Sequence, residues 1–165
     1  MVLKGNVHKF GDNINTDYII SGRYKFKTLN MEELASHLME DIYPDFSKKI
    51  KKGDFIVAGE NFGCGSSREQ APLVIKYAGI SAVIAKSFAR IFFRNGINVG
   101  LFLIEADTDG IDDKDFIEVD IEKGNIINIT KNKVVKISSI PSFLIEILNE
   151  GGVVNYIKKY GKFKI

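Results

Sequence analysis

Phe55-Ile56-Val57-Ala58-Gly59-Glu60-Asn61-Phe62-Gly63-Cys64-Gly65-Ser66-Ser67-Arg68-Glu69-Gln70-Ala71-Pro72 passes from an apolar run into a glycine-rich turn and on toward a helical pattern. The four apolar residues 55–58, stopped by Gly59, fit a short buried strand. Pro72 has no amide hydrogen, so a regular helix does not begin far upstream of it, and 63–71 is expected to be an irregular turn with free amides. Leu73 to Ala78 then reads as helix, closed by Gly79. Ala82-Val83-Ile84-Ala85 is a second buried strand, Phe88 to Asn95 a helix, and Val99 to Ile104 a third strand. Arg90 and Arg94 are four apart and so share a helix face. The succession β-loop-α-β-α-β across 55–104 predicts an α/β fold with parallel pairing.

Outside this unit, Val2 to Phe10 suits a strand broken by Gly11-Asp12-Asn13. Asn15-Thr16-Asp17 forms a polar knot ahead of a loop at 21–28. Asn30 is placed to cap a helix over Met31–Met39, with Glu32 and Glu33 in its first turn. After Asp107 the texture changes. Phe116–Asp120 and Ile126–Ile129 alternate apolar and polar around Gly124-Asn125, a hairpin pattern, and Val134–Ile137 suits a further strand. Ser142 is expected to cap a last helix, with Phe143, Leu144, Ile147 and Leu148 on its apolar face, ending at Gly151-Gly152. Lys158, Lys159, Lys162 and Lys164 read as a solvated tail.

The 165 residues suffice for one domain with one core, taken as spanning 1–165. Net charge is only +2, and no aromatic-basic stacking surface is legible, so nucleic acid is not an expected partner. No apolar run reaches the roughly 18 residues that a membrane span needs. The first residues lack the apolar core of a signal peptide, and the chain is read as cytoplasmic. Its single cysteine, Cys64, excludes an internal disulfide. One thiol alone also cannot hold an iron–sulfur cluster or a structural zinc, so no cofactor is expected in this chain.

The turn at 63–68 has the parts of a carboxylate grip. Glycines allow φ > 0 and close approach of backbone to a ligand. Freed amides and a helix N-terminus attract anions. An arginine fork pairs with a carboxylate through two parallel hydrogen bonds. Other readings stand beside these. Ser66 with Glu69 also spells a capping box. Arg68 fits a surface ion pair, and Asp17 an Asx turn. Cys64 has no histidine near it in sequence, and the tight turn asks only for a small side chain there.

Asn15-Thr16-Asp17, Gly53-Asp54, Asn61 through Glu69, Ala71-Pro72, Ser87-Phe88-Ala89-Arg90-Ile91 and Arg94-Asn95 together resemble the small subunits of the 3-isopropylmalate dehydratase family. That family is similar to the swivelling C-terminal domain of aconitase. The likeness covers nearly the whole chain, and the glycine-serine-arginine block is its most specific part. It implies a three-layer β/β/α swivelling domain and a hydro-lyase that moves a hydroxyl to the neighbouring carbon of a hydroxy-diacid. It further implies a separate large subunit that carries a 4Fe–4S cluster, in a heterodimer or heterotetramer. Ser66 matches the family's base, Arg68 and Ser67 its carboxylate ligands, and Asp17 an aspartate that organises the site, with Thr16 beside it. In loop 21–28 an apolar residue, here Phe26, meets the alkyl group of an isopropylmalate, whereas an arginine meets the extra carboxylate of a tricarboxylate. Phe26 favours the leucine pathway, while Arg23, Lys25 and Lys27 keep a tricarboxylic acid, and so homoaconitase, in view; the same parts would also serve a methylmalate or dimethylmalate dehydratase. A reading of another class is a non-catalytic anion-binding or assembly module, which would bind phosphate with no partner.

Overall fold

The computed structural model describes residues 1–24 and 27–163. Seven strands form one sheet in the order β4-β3-β2-β1-β5-β6-β7. They are β1 (Val2–Lys9), β2 (Phe55–Val57), β3 (Ala82–Ala85), β4 (Phe102–Glu105), β5 (Phe116–Asp120), β6 (Asn125–Asn128) and β7 (Lys133–Lys136). The helices are α1 (Thr16–Ile19), α2 (Met31–Ala35), α3 (Phe46–Lys49), α4 (Gln70–Tyr77), α5 (Arg90–Val99), α6 (Ser142–Asn149) and α7 (Val153–Tyr160), with a 3₁₀ turn at Gly22–Tyr24.

β1 joins a parallel half to an antiparallel half. Its last residues, Val7 to Lys9, pair in parallel with β2, and β3 and β4 continue that parallel half. Its first residues, Val2 to Asn6, pair antiparallel with β5, which leads into the meander β5-β6-β7. Alternation along the parallel strands then builds two cores. Ile56, Ala58, Val83, Ala85 and Leu103 face the helices, where they meet Leu34, Val74, Ile75 and Phe92. Val57, Ile84 and Ile104 face the other way and meet Ile117, Val119 and Ile126 of the meander. The sheet therefore curls over itself, giving the order helices, parallel half, antiparallel half. This is the expected three-layer β/β/α architecture.

Local details differ from the sequence reading for identifiable reasons. The helix expected to Met39 stops as regular α-helix at Ala35, and Met39 itself takes φ +55°. Asn30 caps it as expected, accepting from the amides of Glu32 and Glu33 at 2.9 and 3.1 Å. α4 starts at Gln70, so Pro72 lies in its first turn, where an amide has no intrahelical partner anyway. Val99 belongs to α5 rather than to the following strand, because Gly100, at φ +76°, ends the helix only there. Ser142 is the first residue of α6 and not its cap, which is Pro141. Lys158 and Lys159, read as part of a solvated tail, are exposed but belong to the last turn of α7, whose Tyr156 is buried.

Candidate active site

Three loops leave the carboxyl ends of β1, β2 and β3, the place where open parallel sheets bind ligands. Backbone bonds lace them together. Gly59 N donates to Gly11 O (3.1 Å), Lys86 N to Gly59 O (3.0 Å), Phe62 N to Ser87 O (3.0 Å) and Ala89 N to Phe62 O (2.9 Å). Gly63 N donates to Ile14 O (2.8 Å) and Thr16 N to Cys64 O (2.8 Å). Side chains add to the lacing, since Asn61 Nδ2 donates to Asn13 Oδ1 at 2.9 Å and Asn61 N to Ser87 Oγ at 2.8 Å.

Two glycines make the close approach possible. Gly63, at φ +80°, lies against Phe92, where a Cβ would come within 2.1 Å of the ring. Gly65, at φ +88°, lies against Asn15, whose side chain would stand 2.7 Å from a Cβ. Any side chain at either position meets both a backbone penalty and a clash.

The seam brings together residues far apart in sequence. Thr16 is buried, and its Oγ1 donates to Ser66 O at 2.6 Å, fixing the backbone of the serine turn. Arg68 Nη1 donates to Ile20 O at 2.9 Å, and Nη2 pairs with the Asp17 carboxylate. Arg68 is largely covered, with 15% of its side chain exposed, whereas Asp17 is half exposed at 51%. Gly22 packs on the same guanidinium. Ser66 and Ser67 are exposed at the rim. Among the described residues, the amides of Gly65, Ser66, Ser67 and Arg68 find no acceptor within the chain.

A cleft of 250 Å³ opens beside this turn, lined by Thr16, Ser67, Arg68, Arg90, Phe92 and Asn95 among others. Thr16, Asp17, Ser66, Ser67 and Arg68 are thus gathered on one seam. Arg23 is directed elsewhere: its guanidinium pairs with Asp41 at 2.5 Å and Glu40 at 3.5 Å. Phe26 and Lys25 lie outside the described residues. Ser66 is not a helix cap, because α4 begins at Gln70 and is preceded by Glu69, which makes no capping bond. The Asx turn is formed by Asn15, whose Oδ1 accepts from Asp17 N at 2.8 Å, so the Asp17 carboxylate is free to pair with Arg68.

Asn95 and the lacing role of Asn13, Asn15 and Asn61 were not assigned from sequence. The asparagine spacing at 13, 15 and 61 gives no periodic pattern. The clue for Asn95 was its place one turn after Arg90–Ile91 on the same helix. Among the described residues, no group of three or more His, Cys, Asp or Glu side chains is arranged to hold a metal ion. Nor is any of their helices long and apolar enough to cross a membrane.

Residues 7–109 match the family model of the aconitase C-terminal domain. A 3-isopropylmalate dehydratase small subunit of Archaeoglobus fulgidus is 58% identical over 165 residues, all of both chains. A methanogen homoaconitase small subunit of Methanocaldococcus jannaschii is 58% identical over 159 residues, covering 96% of this chain and 93% of that one. A crystal structure of a 3-isopropylmalate dehydratase chain from the same organism superposes with a TM-score of 0.94 at 57% identity, covering 98% of this chain and 96% of that one.

Proposed function

The chain belongs to the aconitase C-terminal domain family and to its dehydratase small subunits, and from there we propose how its residues act and on what. The substrate is a hydroxy-dicarboxylate: 2-isopropylmalate exchanges with 3-isopropylmalate through isopropylmaleate, a step of leucine biosynthesis in the cytoplasm. The observation that carries this reading is the covered Arg68 fork, held between Asp17 and Ile20 O beside the exposed hydroxyls of Ser66 and Ser67.

Arg68 and Ser67 take one carboxylate of the substrate, the guanidinium through paired hydrogen bonds. Asp17 and Ile20 O fix the plane of that guanidinium before substrate arrives, so little rotamer freedom is lost on binding. Ser66 Oγ removes the proton from the carbon next to the departing hydroxyl. A hydroxyl group has little basicity near neutral pH, and the unpaired amides of the turn, with Arg68, stabilise its anion. When the hydroxyl leaves, a double bond forms. Hydroxide then adds to the carbon that gave up the proton, and Ser66 returns that proton to the carbon that lost the hydroxyl, so that no atom is gained or lost overall. Loss of a hydroxyl calls for a Lewis acid, which a 4Fe–4S cluster on the large subunit would supply. The lone thiol of this chain does not fit such a group.

A homoaconitase reading has an observation of its own in the 58% identity to the methanogen homoaconitase small subunit. The deciding experiment mixes this chain with a reconstituted large subunit and follows hydration of isopropylmaleate, cis-aconitate and cis-homoaconitate. Turnover of isopropylmaleate above the tricarboxylates supports the leucine-pathway reading. The reverse order assigns the chain to homoaconitase. Absence of turnover with a formed complex and an intact cluster sinks both.

A further inference from the structure

Asn95 of α5 carries a polar group that the fold does not use. It lies four residues after Ile91 and three after Phe92, on the face of the helix that lines the serine-turn cleft. Phe92 fastens that face to the turn, since its ring fills the space beside Gly63. One turn further along, Asn95 stands partly buried among Thr16, Gly63, Gly65, Ser67 and Arg68. Its side chain can donate twice and accept through one oxygen, yet among the described residues it makes no hydrogen bond. No sealed side-chain nitrogen or oxygen among them lacks a partner, so this amide opens into the cleft. Asn98, one turn on, lines the separate groove between α4 and α7.

The groups around Asn95 select its ligand. Thr16 Oγ1 is spent on Ser66 O. The amides of 65–68 and the Arg68 fork are donors, and Ser67 adds a hydroxyl. A ring of donors holds an anion, and a carboxylate has lone pairs enough to accept from several of them at once. A neutral amide adds one more donor to that grip without the desolvation cost of a further charge. We infer that Asn95 is a substrate-binding residue, whose Nδ2 donates to the carboxylate that Arg68 and Ser67 hold. The inference rests on the dehydratase reading and adds to it the far wall of the carboxylate subsite, supplied by α5 and not by the serine turn.

The test compares Asn95→Ala with the isosteric Asn95→Asp, each assembled with the cluster-bearing large subunit and assayed on the substrate that the wild-type complex prefers. Loss of a donor to a carboxylate should raise KM roughly tenfold, with kcat within about threefold of wild type. A carboxylate at 95 faces the carboxylate of the substrate, so Asn95→Asp should be the worse of the two, by about another tenfold. Substrate Kd, measured by titration calorimetry in a Ser66→Ala background that turns over slowly, should rise in the same order. Asn98→Ala, on the same helix but outside the cleft, should match wild type, and the thermal midpoints of all these variants should stay unchanged. If Asn95→Asp melts early, Asn95→Leu takes its place, of similar size with no donor, and should match Asn95→Ala. A wild-type KM in Asn95→Ala or Asn95→Leu overturns the inference alone. So does a folded aspartate variant no worse than the alanine one. A wild-type chain that forms the complex with an intact cluster and shows no turnover removes the functional reading and this inference together.

Discussion

At the scale of the residue, the site separates groups that hold from groups that react. Ser66 is exposed and makes no helix cap, and its bond with Thr16 uses its backbone oxygen, so its hydroxyl is dispensable for folding. Ser66→Ala is expected to lower kcat of the assembled enzyme by about 10²–10⁴-fold, the range for losing a general base, with an unchanged thermal midpoint. A large fall in that midpoint would mean the serine is structural. Arg68 is covered and makes directed bonds to Asp17 and Ile20 O. A lysine there keeps the charge but loses the fork, and Arg68→Lys should raise KM on the order of tenfold or more. Equal KM values would show that only the charge matters. The residue types in Gly63–Arg68 announced a carboxylate grip from sequence alone, because amides, hydroxyls and a guanidinium have that chemistry wherever they lie. That Asp17 pairs with Arg68, while Arg23 turns to Asp41, was not legible. Those choices depend on which backbone segment the curled chain lays beside each guanidinium.

At the scale of the element, the site is only as good as the turn between β2 and α4. Gly63 and Gly65 let that turn lie against Phe92 and Asn15. Gly63→Ala places a methyl within 2.1 Å of the Phe92 ring and forces φ +80° on an alanine. It should destabilise the chain by roughly 2–4 kcal/mol and cost activity as well, which a denaturant melt alongside the assay would reveal. Asn30→Ala removes the side chain that caps α2 and should cost about 1 kcal/mol with activity intact. Elements with a local signal were the ones readable in advance. The Asn30 cap, the strands at 55–57 and 82–85 and the hairpin around Gly124-Asn125 each carry their reason within a few residues. α7 was missed because its sequence advertises lysines, and only the tertiary fold shows that Tyr156 turns inward.

At the scale of the whole molecule, a buried aspartate anchors each half of the sheet. Asp54 accepts from Lys51 N (2.9 Å), Asn6 N (3.1 Å) and His8 Nε2 (2.8 Å), next to the point where β1 passes from one half to the other. Asp115 accepts from Asp112 N (2.8 Å) and Asn128 Nδ2 (2.6 Å) in the antiparallel half. Burial pushes both carboxyls up, but these hydrogen bonds outweigh it and hold both below their ordinary range. A carboxyl depressed in the folded state contributes stability above its unfolded pKa, and that contribution is lost as pH falls through the folded value. Stability should therefore hold through neutral pH and drop below about pH 4. The acid limb should flatten in Asp54→Asn, in a chain less stable at pH 7. An acid limb of unchanged steepness would count against this account.

The sequence by itself determined the order of the seven strands and of the helices α2, α4, α5 and α6, the parallel unit at 55–104 and the chemistry of the glycine-serine-arginine turn. Each of these follows from hydrophobic period, turn residues and functional groups, which are properties of neighbours along the chain. Only the tertiary structure decided that β1 divides its pairing between two partners, that the meander folds back over the parallel half, and that Thr16 and Asp17 meet Ser66 and Arg68. Such contacts join residues about fifty apart or more. They are selected by the burial of both faces of the parallel strands at once, a condition that no local stretch can express.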